Sequence, residues 1–140
     1  MLGNLNYLAV IAAAVTSFVF GGIWYNVFSK QWLEAVGRSP DSIRQDKAGI
    51  GLYLLAYGAV LIMAWMLAGV LLHLSLGGMR LGLRSGIISA VLMWLGFVIT
   101  TMVVNYSFHG AKRSLSVIDG GHWLGVLVIQ GAILGWWGVQ

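Results

Sequence analysis

The chain has 140 residues, of which 59% are apolar and only 9% are charged. Soluble domains carry about 25% charged residues, so this composition excludes an ordinary soluble domain. The sequence contains no cysteine, which excludes disulfides and thiolate metal sites. Its net charge of +4 arises mainly in the connections between apolar segments. Basic residues there report orientation and contact with anionic lipid, and we expect no nucleic-acid partner.

Four apolar segments follow one another along the chain, at residues 5–28, 50–74, 83–108 and 117–139. A helix needs ~20 apolar residues to cross a hydrocarbon core of ~30 Å, and each segment is long enough. The first segment lacks the basic start of a signal peptide, so it is interpreted as a retained helix. We therefore predict an all-α polytopic membrane protein, with residues 1–140 forming one domain of four transmembrane helices in an antiparallel bundle.

The connection after the first segment carries two further helix signals. Trp32, Leu33 and Val36 are spaced to lie on one face of a short interfacial helix, which Gly37 would end. The Ser-Pro-Asp sequence at 39–41 then has the residue types of an N-cap, a first helical position and an acidic first turn. We expect the second spanning helix to begin there, before it enters the membrane.

Positive charge is distributed unevenly between the two sides of the predicted bundle. The first and third connections carry six basic residues, Lys30, Arg38, Arg44, Lys47, Lys112 and Arg113, whereas the second carries Arg80 and Arg84. This asymmetry predicts a cytoplasmic long connection with both termini outside. Aromatic residues are typical of the headgroup region. Those predicted to lie there are Trp24, Tyr25, Trp32 and Trp123, together with Tyr53, Tyr57, Tyr106 and Phe108.

Small residues recur along one face of the first and last segments. The first has Ala9, Ala13, Ser17 and Gly21, and the last has Gly121, Gly125, Ala132 and Gly135. Small residues let helix backbones approach closely within a membrane, where association gains little from the hydrophobic effect. The pattern favours packing of these two helices against each other, with a subunit interface as the alternative.

Polar residues form a second pattern on the last two segments. The last segment places Asp119, Trp123, Gln130 and Trp137 on one stripe with His122 nearby, and the third offers Trp94, Thr101, Asn105 and His109. Polar groups at membrane depth face partners or a wet cavity. We predict a polar, aromatic-lined seam on the side of the long connection, where Asn105, Asp119 and His122 converge. For Asn105 and Gln130 the alternative is a hydrogen bond that only holds helices together.

Asp119 and His122 form the most suggestive pair, because a carboxylate three residues before an imidazole can orient it in a proton relay. Alternatively, Asp119 caps the last helix, with Gly120 and Gly121 making the turn. The three histidines have no metal-site spacing, and the sequence contains no phosphate-binding loop, His-Glu-x-x-His or Gly-x-Ser-x-Gly motif. We therefore predict no catalytic residue, metal or cofactor.

Several of these residues together resemble a known family. They are the Gly-Gly-Ile-Trp-Tyr run at 21–25 with Phe28, Trp32 and Gly37, the Asn105-Tyr106 pair, the run at 118–122 and the Gly-Ala-Ile-Leu-Gly run at 131–135. In order and position they resemble the bacterial membrane family catalogued as domain of unknown function 1761. The resemblance covers nearly the whole chain and implies a small multi-span protein of the bacterial inner membrane. It implies no activity.

Three classes of function stay open at this stage. The favoured, non-enzymatic hypothesis is that the seam of the last two helices binds or passes a small solute, a proton or a lipid headgroup. The alternative is an accessory or structural subunit that docks onto a larger membrane complex through its small-residue and aromatic faces. A membrane enzyme using His109, Asp119 or His122 is the least favoured. The expected partners are the lipid bilayer and either a second copy of the chain or a larger membrane complex.

Overall fold

The computed structural model describes residues 5–41 and 49–140. Within these ranges the helices are α1 (Tyr7–Val27), α2 (Ser29–Val36), α3 (Ile50–Leu76), α4 (Leu83–Phe108) and α5 (Arg113–Trp137). All except α2 are long and apolar enough to span a membrane, so the predicted all-α fold with four spanning helices is confirmed. Two residues of the predicted basic connection, Arg44 and Lys47, lie outside the described ranges.

The starts of two spanning helices differ from the predictions. Pro40 and Asp41 are helical, as expected, but α3 begins separately at Ile50 after an extended Gly49. The second spanning helix therefore does not begin at the Ser-Pro-Asp sequence. Helix α5 begins at Arg113, four residues before the predicted segment. Asp119 consequently lies in the second turn, and the interpretation that it caps this helix is wrong.

The short helix α2 is part of the long connection between the first two spanning helices. It ends at Gly37, whose φ of 74° is left-handed and favours glycine, as the sequence predicts. The Lys112 ammonium, just before α5, donates a hydrogen bond of 2.8 Å to the backbone oxygen of Glu34. The first and third connections therefore meet on the same side of the molecule.

Helix α5 is central, because α1 and α4 both pack along it and α3 packs mainly on α1. The small-residue face of α1 is buried, with Ala9, Ala13 and Ser17 fully covered. On the opposite face, large apolar side chains are exposed at a regular spacing: Leu8, Ile11, Val15, Val19, Ile23 and Val27. Helix α1 thus has one face for its neighbours and one face for lipid.

The glycines of α5 divide between two neighbours. A Cβ on Gly121 would lie 2.9 Å from the Trp24 ring, and a Cβ on Gly125 would overlap the Phe20 ring, so both glycines face α1. Gly135, which the sequence analysis assigned to the same face, instead lies against Gly86 of α4. The reason is that Gly131 and Gly135 form a second small face, where α4 and α5 backbones touch.

Helix α4 contains a π-helical turn at Trp94–Val98, in which the Ile99 N–H bonds the Trp94 carbonyl five residues earlier. Such a turn adds one residue to an α-helix and shifts every later position by ~100° around the axis. In a regular helix, Asn105 would lie within ~20° of Trp94. With the shift, Tyr106 takes that place, and Asn105 becomes exposed.

Candidate functional site: a polar cleft between α1, α3 and α5

Asp119 is the centre of the polar cluster and is only 7% exposed. One carboxylate oxygen accepts a hydrogen bond from the Tyr25 hydroxyl of α1, and the other accepts one from the Tyr106 hydroxyl of α4, both at 2.8 Å. Three helices are therefore joined through one side chain. A hydrogen bond from a hydroxyl to a carboxylate is stronger than one between two neutral groups. The two bonds therefore favour one position of the three helices along one another.

Two indole rings attach to the same turn of α5 through its backbone. Trp24 of α1 donates to the Ile118 carbonyl at 3.1 Å, and Trp94 of α4 donates to the Gly120 carbonyl at 2.9 Å. Glycine at position 120 leaves room for the neighbouring Ile99 side chain, because a Cβ there would lie 2.7 Å from it. Asp119 is thus held between two indoles that fix the backbone on either side of it.

His122 lies one turn deeper along α5 and is buried among aromatic rings. Its ring centroid is 4.7 Å from that of Tyr25 and 4.7 Å from that of Trp123. Its Nε2 atom would lie 2.7 Å from a Cβ on Gly21, so that glycine provides the space for the imidazole. Its Nδ1 atom has no hydrogen-bond partner in the described part of the chain. A buried polar atom without a partner is typical of a position that water or a ligand occupies.

Gln130 lies farther along α5 and belongs to a separate contact. Its amide nitrogen donates to the Ser17 hydroxyl at 3.1 Å and to the Val60 carbonyl at 3.0 Å. Its carbonyl oxygen is buried and has no partner among residues 5–41 and 49–140. Eleven residues separate it from Asp119, or ~16 Å along the helix. Gln130 therefore joins α5 to α1 and α3 at a point away from the Asp119 cluster.

Two cavities open beside this cluster, and both are lined by Tyr25 and Tyr53. We name them the outer and the inner pocket. The outer pocket is about 600 Å³ and is lined by Asp119, Tyr25 and Tyr53 with Ser29, Trp32, Leu33 and Pro40. The inner pocket is about 420 Å³, and its lining includes His122, Trp123, Phe18, Ser17, Ala56 and Val60. Together they form a cleft between α1, α3 and α5.

The structure brings together only part of the predicted polar site. Asp119 and His122 line the two adjoining pockets, whereas Asn105 and His109 are exposed on α4. The hydrogen bond from α4 to Asp119 comes from Tyr106 instead, because the π-helical turn shifts the face of that helix. The cleft consequently lies beside α1 and α3, not along the predicted seam between the last two spanning helices.

The predicted interface aromatics lie around this site. Tyr25 and Trp32 line the outer pocket, Trp123 lines the inner pocket, and Trp24 binds the α5 backbone. Tyr53 and Tyr106 are site residues that the sequence analysis did not assign to the polar site. Tyr25 could have been found from the sequence, since it follows Gly21 by four residues and so shares the buried face of α1.

Among the described residues, no group of three or more His, Asp and Glu is placed to hold a metal ion.

The four long apolar helices define a multi-pass membrane protein, and its cleft has mostly apolar walls with a few polar groups. The family model described as protein of unknown function DUF1761 matches residues 8–135, and the chain belongs to this family. The resemblance found in the sequence is therefore confirmed. No curated protein and no solved structure gives a significant match to the chain.

Proposed function

We propose that this protein is a non-enzymatic membrane protein whose cleft binds a small amphipathic solute or a lipid headgroup. The observation that carries the proposal is that Tyr25 and Tyr53 line both pockets, which therefore lie side by side. Small-molecule sites typically enclose ~300–1,000 Å³, with mostly apolar walls and a few convergent polar groups. Each pocket has such a volume, and the convergent polar groups are Asp119, Tyr25 and His122.

The course of α3 supports the same proposal. Its first two turns are exposed, Tyr57 and Gly58 are partly buried, and full burial begins at Val60, ten residues after Ile50. This length corresponds to ~15 Å of helix. A gap beside α1 and α5 thus extends from the end near α2 to about the middle of the membrane. The Asp119 carboxylate lies at the outer end, and most of the deeper wall is apolar apart from His122 and Ser17. This arrangement suits an amphipathic molecule.

We expect that filling the inner pocket removes a bound molecule. Wild-type protein, Ala56→Trp and Leu54→Trp would be purified in maltoside micelles, and retained molecules would be extracted and quantified by mass spectrometry. Ala56 lines the inner pocket, whereas Leu54 is 64% exposed, two residues away on the other side of α3. The wild type and Leu54→Trp should retain a near-stoichiometric molecule, and Ala56→Trp should lose it.

Equal retention by Ala56→Trp and the wild type, or no retained molecule in either, would contradict binding in the cleft. The same preparations report the oligomeric state by light scattering. Co-purification of another protein chain in place of a small molecule would favour the accessory-subunit alternative.

We also propose that the protein lies in the bacterial inner membrane with α2 and the long connection in the cytoplasm. The support is the excess of basic residues in the first and third connections, which meet through Lys112 and Glu34. Single cysteines can test this, because the natural chain has none. Ser114→Cys should react with an impermeant maleimide only after cell lysis, and Gly77→Cys should react in intact spheroplasts. Labelling in the opposite order would show that the orientation is reversed.

A further inference from the structure

The outer pocket combines an acidic group with three aromatic walls, and its chemistry is more specific than that of the inner pocket. We propose that it binds a methylated organic ammonium ion, held by Asp119, Tyr25, Trp32 and Tyr53. This assignment rests on the proposed function, because it names the class of molecule whose polar end would occupy the cleft. The ammonium group can belong to a free quaternary amine or to the headgroup of a lipid.

The first support is the charge of Asp119. Both of its hydrogen-bond donors are neutral tyrosine hydroxyls, and it is 7% exposed. Its two carboxylate oxygens accept hydrogen bonds from uncharged side chains, one from α1 and one from α4. A buried carboxylate is costly unless it is paired, because burial removes its hydration. A cation in the outer pocket would lie beside this carboxylate and supply an opposite charge.

The second support is the arrangement of aromatic rings. The Tyr25 and Trp32 rings meet nearly at right angles, with an interplanar angle of 79° and a centroid distance of 6.1 Å. Two perpendicular rings form a corner, and Tyr53 of α3 lines the same pocket from the other side. Aromatic faces attract cations within ~6 Å, and cages of such rings recognise methylated ammonium groups. The carboxylate then distinguishes a cation from a neutral group of the same shape.

The third support is the route that leads away from this pocket. The inner pocket begins at Tyr25 and Tyr53 and continues past Phe18 to Val60. An apolar substituent on the ammonium nitrogen would extend along this route. His122, which is 7% exposed and has an unpartnered Nδ1, also lines the inner pocket and offers a hydrogen bond to a polar atom of the same molecule.

The test is a pair of probes that differ in charge but not in shape: choline and its neutral carbon analogue 3,3-dimethyl-1-butanol. Binding to the full chain in maltoside micelles is measured by isothermal titration calorimetry. We expect choline to bind the wild type at least tenfold more tightly than the neutral analogue. Asp119→Asn keeps the side-chain shape and should remove this preference, while leaving the weak affinity for the neutral analogue unchanged.

A second variant tests the same site in case Asp119→Asn does not fold. Trp32→Leu changes a partly buried side chain of α2 and should weaken choline binding several-fold. Its matched control is Trp65→Leu, another tryptophan that is 37% exposed on α3 and outside both pockets, which should bind choline like the wild type. Monomeric diheptanoylphosphatidylcholine is the third probe. Tighter binding than choline identifies a lipid headgroup as the source, and weaker binding identifies a soluble amine.

Equal affinity of the wild type for choline and the neutral analogue would overturn the ammonium assignment. Unchanged choline affinity in both Asp119→Asn and Trp32→Leu would overturn it as well. If Ala56→Trp nevertheless abolishes retention of a co-purified molecule, the cleft remains a binding site for neutral amphiphiles. In that case the outer pocket does not select an ammonium ion, but the cleft still binds a small amphipathic molecule.

Discussion

We expect a single added methyl group at Gly86 to destabilise the protein strongly. An ideal Cβ on Gly86 would overlap the Gly131 carbonyl and lie 3.0 Å from the Cα atom of Gly135. Both neighbours are backbone atoms of α5, so no side chain can rotate away to make room. Overpacking typically costs ~1–3 kcal/mol, and a contact between two backbones belongs at the upper end of this range. Gly86→Ala should therefore lower the thermal midpoint in maltoside micelles by several degrees or prevent monodisperse purification.

The matched control is Gly69→Ala, seven residues before the end of α3, where a Cβ would meet no atom within 4 Å. It adds the same methyl group to a spanning helix, and alanine is the better helix former. We expect its midpoint to equal or exceed that of the wild type. Equal midpoints for the two variants would show that α4 and α5 do not cross at these glycines.

The sequence predicts the helices well because membrane spanning imposes a strong constraint on each segment alone. A run of ~20 apolar residues has few alternatives to a helix in lipid, so the number of spans follows from hydropathy. The short helix α2 is equally local, since its amphipathic spacing and Gly37 determine where it lies and ends. The buried small-residue face of α1 follows from the repeat of four residues, which matches the helical period.

The identity of the neighbouring helix is less predictable, because a glycine face fits any helix with a complementary face. Gly121 and Gly125 lie against α1 as expected, whereas Gly135 lies against Gly86 of α4. Small residues also recur at every fourth position at the start of α4, at Gly82, Gly86 and Ala90. Only the assembled structure shows that this face of α4 meets Gly131 and Gly135 of α5.

The candidate site shows the same limit. Asp119 and His122 are found from sequence because polar residues are rare in a spanning helix. Tyr25 and Tyr106, which bind the carboxylate, belong to a residue type that is also typical of the headgroup region. Their role depends on helix phase, and the phase of α4 changes at the π-helical turn. A regular helical wheel therefore selects Asn105 in place of Tyr106.

The π-helical turn of α4 should tolerate the loss of one residue, whereas a regular helix should not. Gly96 lies within the π-helical turn, and a Cβ there would meet no atom within 4 Å. Deleting it should convert the turn into regular α-helix, in which Trp94 and Tyr106 are eleven residues apart and stay on the same face to within ~20°. Trp94 and Tyr106 would keep their contacts with Gly120 and Asp119. We expect this variant to fold, with a change in stability of about 1 kcal/mol or less, because only an exposed glycine is lost.

Deleting Ile129 from α5 should have the opposite result. This residue lies between the glycines that face α1 and the glycines that face α4, in a helix with no extra residue to lose. The deletion turns one half of α5 by ~100° relative to the other and moves it by ~1.5 Å. Either Asp119 or Gly131 must then leave its partners, so we expect aggregated protein or none. Gel filtration and circular dichroism of the two deletion variants measure whether each one folds. Equal loss of folding in both would show that the π-helical turn does not set the face on which Tyr106 lies.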